Sequence, residues 1–516
     1  MTFFPRPLRH LILVIILAHL HEHKHASLCV SAATKEYKWV KSSTIEAIEN
    51  YDPTSVSVTQ SGFATAMNQK GDIIAIASNT ELLQQGLVTG GVVNVYKQQN
   101  YTVGESNAEK KWEPLGAEII VPSDGNWTGN NVMSFNEDGT IIAIGSRTVK
   151  FNMGHAMVLK LDLDKNIWAL VGNEVTLSGH QTGEDFGACV GLSADGSTIA
   201  VGSPFYTKIL NTELMFEKIG KVSIFNYNVT LDKWIPTNTS FIGEASNDEF
   251  GTSVALSAQG DMLAVGAPLN DRDESSIFGG RRPNAGHVRI FKKEANTGDW
   301  IQLGPDIEGE KFSDHFGSSV AMSYDVISPE DHRIAVGAPL NDGVNWDEFS
   351  PLGKQGHVRV FGFDQSTANW EKLFYDIDGE EQLDNSGYSV ALDRTGTRLI
   401  VGGVLNDGDD EGKVDVGHAR VFEVGYRGWT QVGGDLDGEG SFDHFGASVQ
   451  INGLGNRVIA GAPFAKYPGY QEGAVYVYDW TEVTVEEPID ETSGSNYRRV
   501  LNSVHVGLLA VIYLLF

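Results

Sequence analysis

One cassette returns seven times along this 516-residue chain and fills nearly all of it. Its clearest copy reads Phe250-Gly251-Thr252-Ser253-Val254-Ala255-Leu256-Ser257, then, after a short turn, Leu263-Ala264-Val265-Gly266-Ala267-Pro268. A fixed long period, here roughly 64 residues, means an array of one supersecondary unit that buries its apolar faces only by stacking on its neighbours. The copies register on Gly62, Gly129, Gly187, Gly251, Gly317, Gly387 and Gly446. The first two are degenerate (Gly62-Phe63-Ala64 and Gly129-Asn130-Asn131), yet both keep the turn and the second apolar run. So dense an array leaves no room for a separate catalytic domain.

Two further segments complete each copy. One is typified by Gly286-His287-Val288-Arg289-Ile290-Phe291, with equivalents at His357 and His418; the other opens on tryptophan, at Trp112, Trp168, Trp234, Trp300, Trp370 and Trp429. All four segments are short, β-branched or aromatic, and bounded by Gly, Asn and Asp, which predicts strands. No helical periodicity stands out in the body of the chain. Four strands repeated seven times predict an all-β, seven-bladed β-propeller of four-stranded antiparallel blades, because radial packing buries both faces of each sheet. The small Ala-Val-Gly-Ala-Pro runs suit strands crowded near the axis, and the tryptophans suit outer strands covering the flank between sheets. An open solenoid is the alternative, but it needs polar caps that the sequence does not display. Trp39 stands where the outer strand of the last blade would be, so the N-terminal segment is expected to close the ring, with the tail from Thr481 to Glu487 as rival.

Phe-Gly followed by Gly-Ala-Pro at this period resembles the FG-GAP repeat of integrin α-chain head propellers and related cell-surface proteins, over about residues 37 to 485. The resemblance implies an extracellular binding propeller, often with calcium loops of the form D-x-D-x-D-G-x-x-D between the two halves of the motif. This chain departs there. Ser193-Ala194-Asp195-Gly196 and Ser257-Ala258-Gln259-Gly260 are turns too short for a calcium cage, so those sites do not carry over. A different loop has the spacing. Asp407, Asp409, Glu411 and Asp415 stand at positions 1, 3, 5 and 9, with Gly412 at position 6, and Ca2+ takes six to eight oxygens from a sharply turning loop of this kind. A solvated acidic turn is the other reading of the same residues.

In an up-and-down sheet, the loop after the second strand and the link to the next blade emerge on one face. Those links are acidic in the later copies: Asp306-Ile307-Glu308-Gly309-Glu310, Asp376-Ile377-Asp378-Gly379-Glu380 and Asp435-Leu436-Asp437-Gly438-Glu439, followed by Asp314, Asp384 and Asp443. Ordinary turn chemistry accounts for most of these residues singly. As a patch they predict a face that attracts divalent cations or a basic partner. Net charge is −29 with a pI near 4.8, which makes nucleic acid and anionic membrane surfaces poor partners.

The ends supply an address. Residues 1–32 read as a secretory signal, with Arg6 and Arg9, the apolar run Leu11 to Leu20, and Val30-Ser31-Ala32 as cleavage site. Cleavage there removes Cys29 and leaves Cys189 as the one thiol, expected to be a buried small hydrophobe. Residues 33–487 form the propeller, 488–505 a polar spacer, and 506–516 an apolar tail. Eleven apolar residues fall short of the ~20 that span a bilayer, whereas Ser493, Gly494 and Ser495 ahead of a spacer and tail match a GPI-attachment signal. A short membrane tail and a soluble mature chain are the alternatives. Asn100, Asn126, Asn228 and Asn238 are N-glycosylation acceptors.

The sequence holds no phosphate loop, serine elbow or His-Glu-x-x-His motif, so no catalytic residue is assigned. The recurrence of His287, His357 and His418 at one strand position points to packing. The expectation is a membrane-anchored extracellular module that binds a protein or glycan ligand. A hydrolase or lyase using the central channel, and an acidic structural protein of the matrix or cell wall, are the alternatives.

Overall fold

The computed structural model describes residues 33–46, 57–82, 87–99, 111–122, 132–148, 152–172, 177–210, 215–237, 239–271, 283–324, 332–343, 353–408, 412–467, 470–471 and 473–486. Two compact units result. One, Lys38–Thr481, carries the blades; in the other, Met1–Tyr37 with Glu482–Phe516, the Tyr37 hydroxyl donates to the Glu482 carboxylate at 3.0 Å.

The first unit is a seven-bladed β-propeller. Blades one to six span residues 57–122, 133–178, 190–242, 253–308, 319–378 and 386–437, and blade seven spans 448–481 plus 38–46. Blade four shows the pattern. Ser253–Leu256, Met262–Ala267, His287–Lys293 and Trp300–Gln302 run antiparallel in chain order, as the alternation of apolar runs and tight turns predicts. A fifth, two-residue strand, Ile307–Glu308, folds back onto the start of the third. It lies inside the acidic link, and Ile307, like Ile377 and Leu436, anchors that link in the core. Strand-forming residues were therefore embedded in what reads as a turn.

The Phe-Gly and Gly-Ala-Pro halves lock adjacent blades together near the axis. The hydroxyls of Ser253, Ser319, Ser389 and Ser448 each donate to the carbonyl of the next blade's register glycine, Gly317, Gly387, Gly446 and Gly62, at 2.7 to 3.0 Å. Cys189 takes this place in blade three, its thiol 3.1 Å from the Gly251 carbonyl. The second-strand glycines are needed at the same seam. A Cβ on Gly337 would lie 2.1 Å from the Gly387 carbonyl oxygen, and one on Gly266 would lie 2.0 Å from that of Gly317. The phenylalanines Phe250, Phe316 and Phe445 are wholly buried between sheets.

Outer tryptophans form a second seam. The indole N–H groups of Trp168, Trp234 and Trp370 donate to Leu115, Val171 and Leu303 carbonyls of the preceding blade at 2.8 to 3.0 Å. Trp39 does the same toward Val432 at 2.9 Å, because the strand Ala33–Glu46 is the outer strand of blade seven. The N-terminal segment thus closes the ring, and the tail instead extends the third strand, Ala474–Glu486.

Candidate functional site

The second-to-third-strand loops and the interblade links share one face. The Lys311 ammonium reaches the Gly343 carbonyl, and the Val414 and Phe442 backbones pair, with Phe442 N donating to Val414 O at 2.9 Å.

The acids of this face divide by burial. Asp248, Asp314, Asp384 and Asp443 are buried frames for their links. One carboxylate oxygen of Asp314 accepts the Glu310 and Lys311 amides at 3.0 and 2.6 Å, and Asp384 does the same for Glu380 and Glu381 at 3.0 and 2.8 Å. Burial outweighs these bonds and pushes the Asp314 carboxyl up to about 6. The Asn-Asp pairs that open the loops are structural too. Asp271, Asp342 and Asp407 accept the Asn284, Lys354 and Asp415 amides at 3.0, 3.1 and 3.0 Å, pinning each loop to its own end. Of the four residues with calcium spacing, Asp407 is exposed, Asp415 is half-buried at φ +50°, and Asp409 and Glu411 lie outside the described residues.

Apolar side chains stand among these acids. Phe312 is 64% exposed, Phe442 47%, Leu383 42% and Val414 41%. Leu383 and Phe442 also hold φ of +72° and +67°. Left-handed backbone is uncommon outside Gly, Asn and Asp and costs a bulky residue of order 1–3 kcal/mol. Each sits just before a buried framing aspartate, and Asn247 holds the same place in the link after blade three, at φ +67°. Asparagine fits that backbone easily; Leu383 and Phe442 do not, and neither side chain is buried in return. Sequence reading missed this patch because its signal, an apolar residue in an Asp-rich link, carries no periodicity.

Among the described residues, three clusters lie below the rim. His287, His357 and His418 begin the third strands of blades four, five and six, with arginine two residues on and therefore on the same strand face. Arg289, Arg359 and Arg420 reach back to the preceding blade, donating to the carbonyls of Ile242, Glu308 and Asp378 at 3.1, 2.7 and 2.6 Å. Each histidine meets one acid from its own link and one from the link before, giving Glu244–His287–Asp306, Glu310–His357–Asp376 and Glu380–His418–Asp435. Burial holds the His287 and His418 imidazoles down at about 4, so both are neutral near pH 7.

Cys189 is fully buried and its thiol is pushed up to about 12, as suits a packing residue. Asn228 is exposed at the end of its strand, while Asn100, Asn126, Asn238, Ser493, Gly494 and Ser495 lie outside the described residues. A cavity of about 160 Å³ on the axis is lined by first-strand residues of the blades, including Met133, Leu192, Leu256, Met322 and Leu392. Tyr324 is its one titratable side chain among the described residues.

A family model for the FG-GAP repeat matches residues 243–281, the stretch from the link after blade three through the second strand of blade four and into the following loop. The chain thus carries an FG-GAP repeat within a seven-bladed β-propeller of four-stranded antiparallel sheets. No curated protein matches it. Similar solved structures include the periplasmic gluconolactonase of Pseudomonas aeruginosa, at 12% identity and a TM-score of 0.46, covering 79% of this chain and 98% of that one. Hydrazine synthase of Kuenenia stuttgartiensis is another, at 11% identity and a TM-score of 0.42, covering 86% and 99%.

Proposed function

We propose that this protein is an extracellular, membrane-anchored binding module that recognises a protein or glycan ligand through the link face of blades four to seven, in adhesion or cell-wall contact. The observation that carries this reading is the exposed set Phe312, Leu383, Val414 and Phe442, two of them on strained backbone, set among Glu310, Glu380, Glu439 and Asp407. Strain at an exposed apolar residue gains nothing for folding, and such strain clusters at ligand clamps. Apolar anchors within a polar rim are the usual anatomy of a recognition surface. The acids favour a ligand with basic groups.

A signal peptide, a GPI anchor at Ser493 to Ser495 and glycans at the four asparagines belong to the same reading. Calcium at Asp407, Asp409, Glu411 and Asp415 would order the loop beside Val414. Release from cells by a phosphatidylinositol-specific phospholipase tests the anchor, and melting in calcium against chelator tests the ion; an unchanged melting temperature removes it. For recognition itself, the probe is a panel of extracellular-matrix proteins and an immobilised glycan array. The double variant Leu383→Ser/Phe442→Ser should lose captured ligand at least tenfold. Tyr426→Ser, at a 99% exposed site in the third-to-fourth-strand turn on the opposite face, should bind normally. Equal binding by the double variant and Tyr426→Ser overturns the assignment of the face.

A further inference from the structure

The three histidine clusters share their Glu, His, Asp and Arg and differ in the cations around them. Four residues before each link aspartate, on the outer strand, stand Gln302, Lys372 and Gln431. Gln302 Nε2 donates to Asp306 Oδ1 at 2.6 Å and Gln431 Nε2 to Asp435 Oδ1 at 2.5 Å. In blade five the Lys372 ammonium takes that role, 2.8 Å from Asp376 Oδ1 and 3.9 Å from Glu310 Oε1. Blade five therefore sets three cations, Arg359, Lys311 and Lys372, around its imidazole. Blades four and six set one arginine each against their two acids, and so keep a net negative charge at a buried imidazole.

Blade six has the most exacting geometry. The outer oxygens of its acids are taken: Glu380 Oε1 lies 3.3 Å from Arg420 Nη1, and Asp435 Oδ1 is held by Gln431. The other two, Glu380 Oε2 and Asp435 Oδ2, face His418 Nδ1 at 3.7 and 3.9 Å, beyond hydrogen-bond range. His418 is 1% exposed, and neither of its ring nitrogens has a hydrogen-bond partner. A buried imidazole without a partner is costly, and two carboxylate oxygens turned toward it supply no proton.

We propose that Glu380–His418–Asp435, and its counterpart Glu244–His287–Asp306, bind a borderline divalent cation of the first transition row, with Zn2+ as the type. One imidazole nitrogen with two carboxylate oxygens is a donor set for such ions, whereas calcium and magnesium prefer oxygen alone. Ligand atoms at about 2.0–2.2 Å from zinc stand roughly 3.5 Å apart, so a slight inward turn of the partly exposed Glu380 closes the set. Its solvent side leaves water to complete the coordination. Arg420 and Gln431 are positioning residues that aim the inner oxygens, as outer-shell partners do in metal sites. The ion would staple the link leaving blade five to the third strand of blade six. Lys372 occupies blade five with its own cation, which makes that blade a built-in control.

Equilibrium dialysis of the full chain against zinc chloride, with bound metal counted by mass spectrometry, tests this. Gln431→Lys and Gln302→Lys copy what blade five already carries and should each remove one equivalent. Lys311→Ala/Lys372→Gln, which leaves blade five the charges of blade four, should add one. Zinc should raise the melting temperature of the wild type and leave that of the Gln302→Lys/Gln431→Lys double variant unmoved. Zinc binding by the double variant equal to wild type overturns the proposal. Should Gln302→Lys/Gln431→Lys fail to melt cooperatively, Lys311→Ala/Lys372→Gln decides alone: no added equivalent overturns the proposal.

Discussion

Trp300 and Trp370 form a matched pair whose difference can be worked in advance. Trp300 is the first and Trp370 the second residue of the outer strand of its blade, and both are 8% exposed. The Trp370 indole donates to the Leu303 carbonyl of the preceding blade at 2.8 Å, whereas the Trp300 indole N–H is buried without a hydrogen-bond partner. Replacing either by phenylalanine trims the same ring area, so that part of the cost cancels between the two. Trp370→Phe additionally loses a net hydrogen bond of about 1 kcal/mol. Trp300→Phe removes an unmet donor whose burial costs about 1–3 kcal/mol, an effect of opposite sign. The first variant should thus be less stable than the second by about 2–4 kcal/mol. In a unit this large, with unfolding entropy near 2.1 cal/mol/K per residue, that is a gap of about 2–4 °C in melting temperature. Calorimetry on the two variants side by side, with reversibility checked by rescanning, makes the comparison. Equal melting temperatures, or a less stable Trp300→Phe, would refute the account of the outer seam as a set of individually counted indole bonds.

Other consequences can be checked the same way. Ser389→Ala leaves the Gly446 carbonyl without its interblade donor and should cost about 1–3 kcal/mol. Cys189→Ser installs the hydroxyl that the other blades use and should change stability by less than about 1 kcal/mol in urea titration. Gly337→Ala drives a methyl into the Gly387 carbonyl and should destabilise by about 3 kcal/mol or more, read as a lowered urea midpoint. Burial pushes the Asp185 carboxyl from 3.8 up to about 6, against the pull of Arg147 and Lys218. Its contribution to stability is whole below pH 3.8 and lost as pH rises through about 6. At pH 7.5 Asp185→Asn should therefore be the more stable protein by about 1–2 kcal/mol, the full 1.36 kcal/mol per unit being discounted for partial solvation. The advantage should vanish near pH 4; an equal gap at both pH values would show that the charge is not its cause.

The period and strand composition were enough to specify blades, their number and the order of strands, because each cassette carries its own turn residues and apolar alternation. The glycines were visible as a register, and Trp39 marked the closing strand without its partner being known. Composition also set the acidity. What each acid does was not legible. Asp314 and Asp306 look equivalent in the sequence, yet one is buried under two backbone amides and the other turns one oxygen toward His287. The histidine clusters draw on residues from two blades and three segments, and the exposed Leu383 and Phe442 differ from core residues only in backbone conformation. Local pattern decides what forms a strand, since that depends on near neighbours. Which carboxylate is buried, which imidazole is left unmet and which apolar side chain faces water depend on how one sheet lands on the next, and only the closed ring sets that.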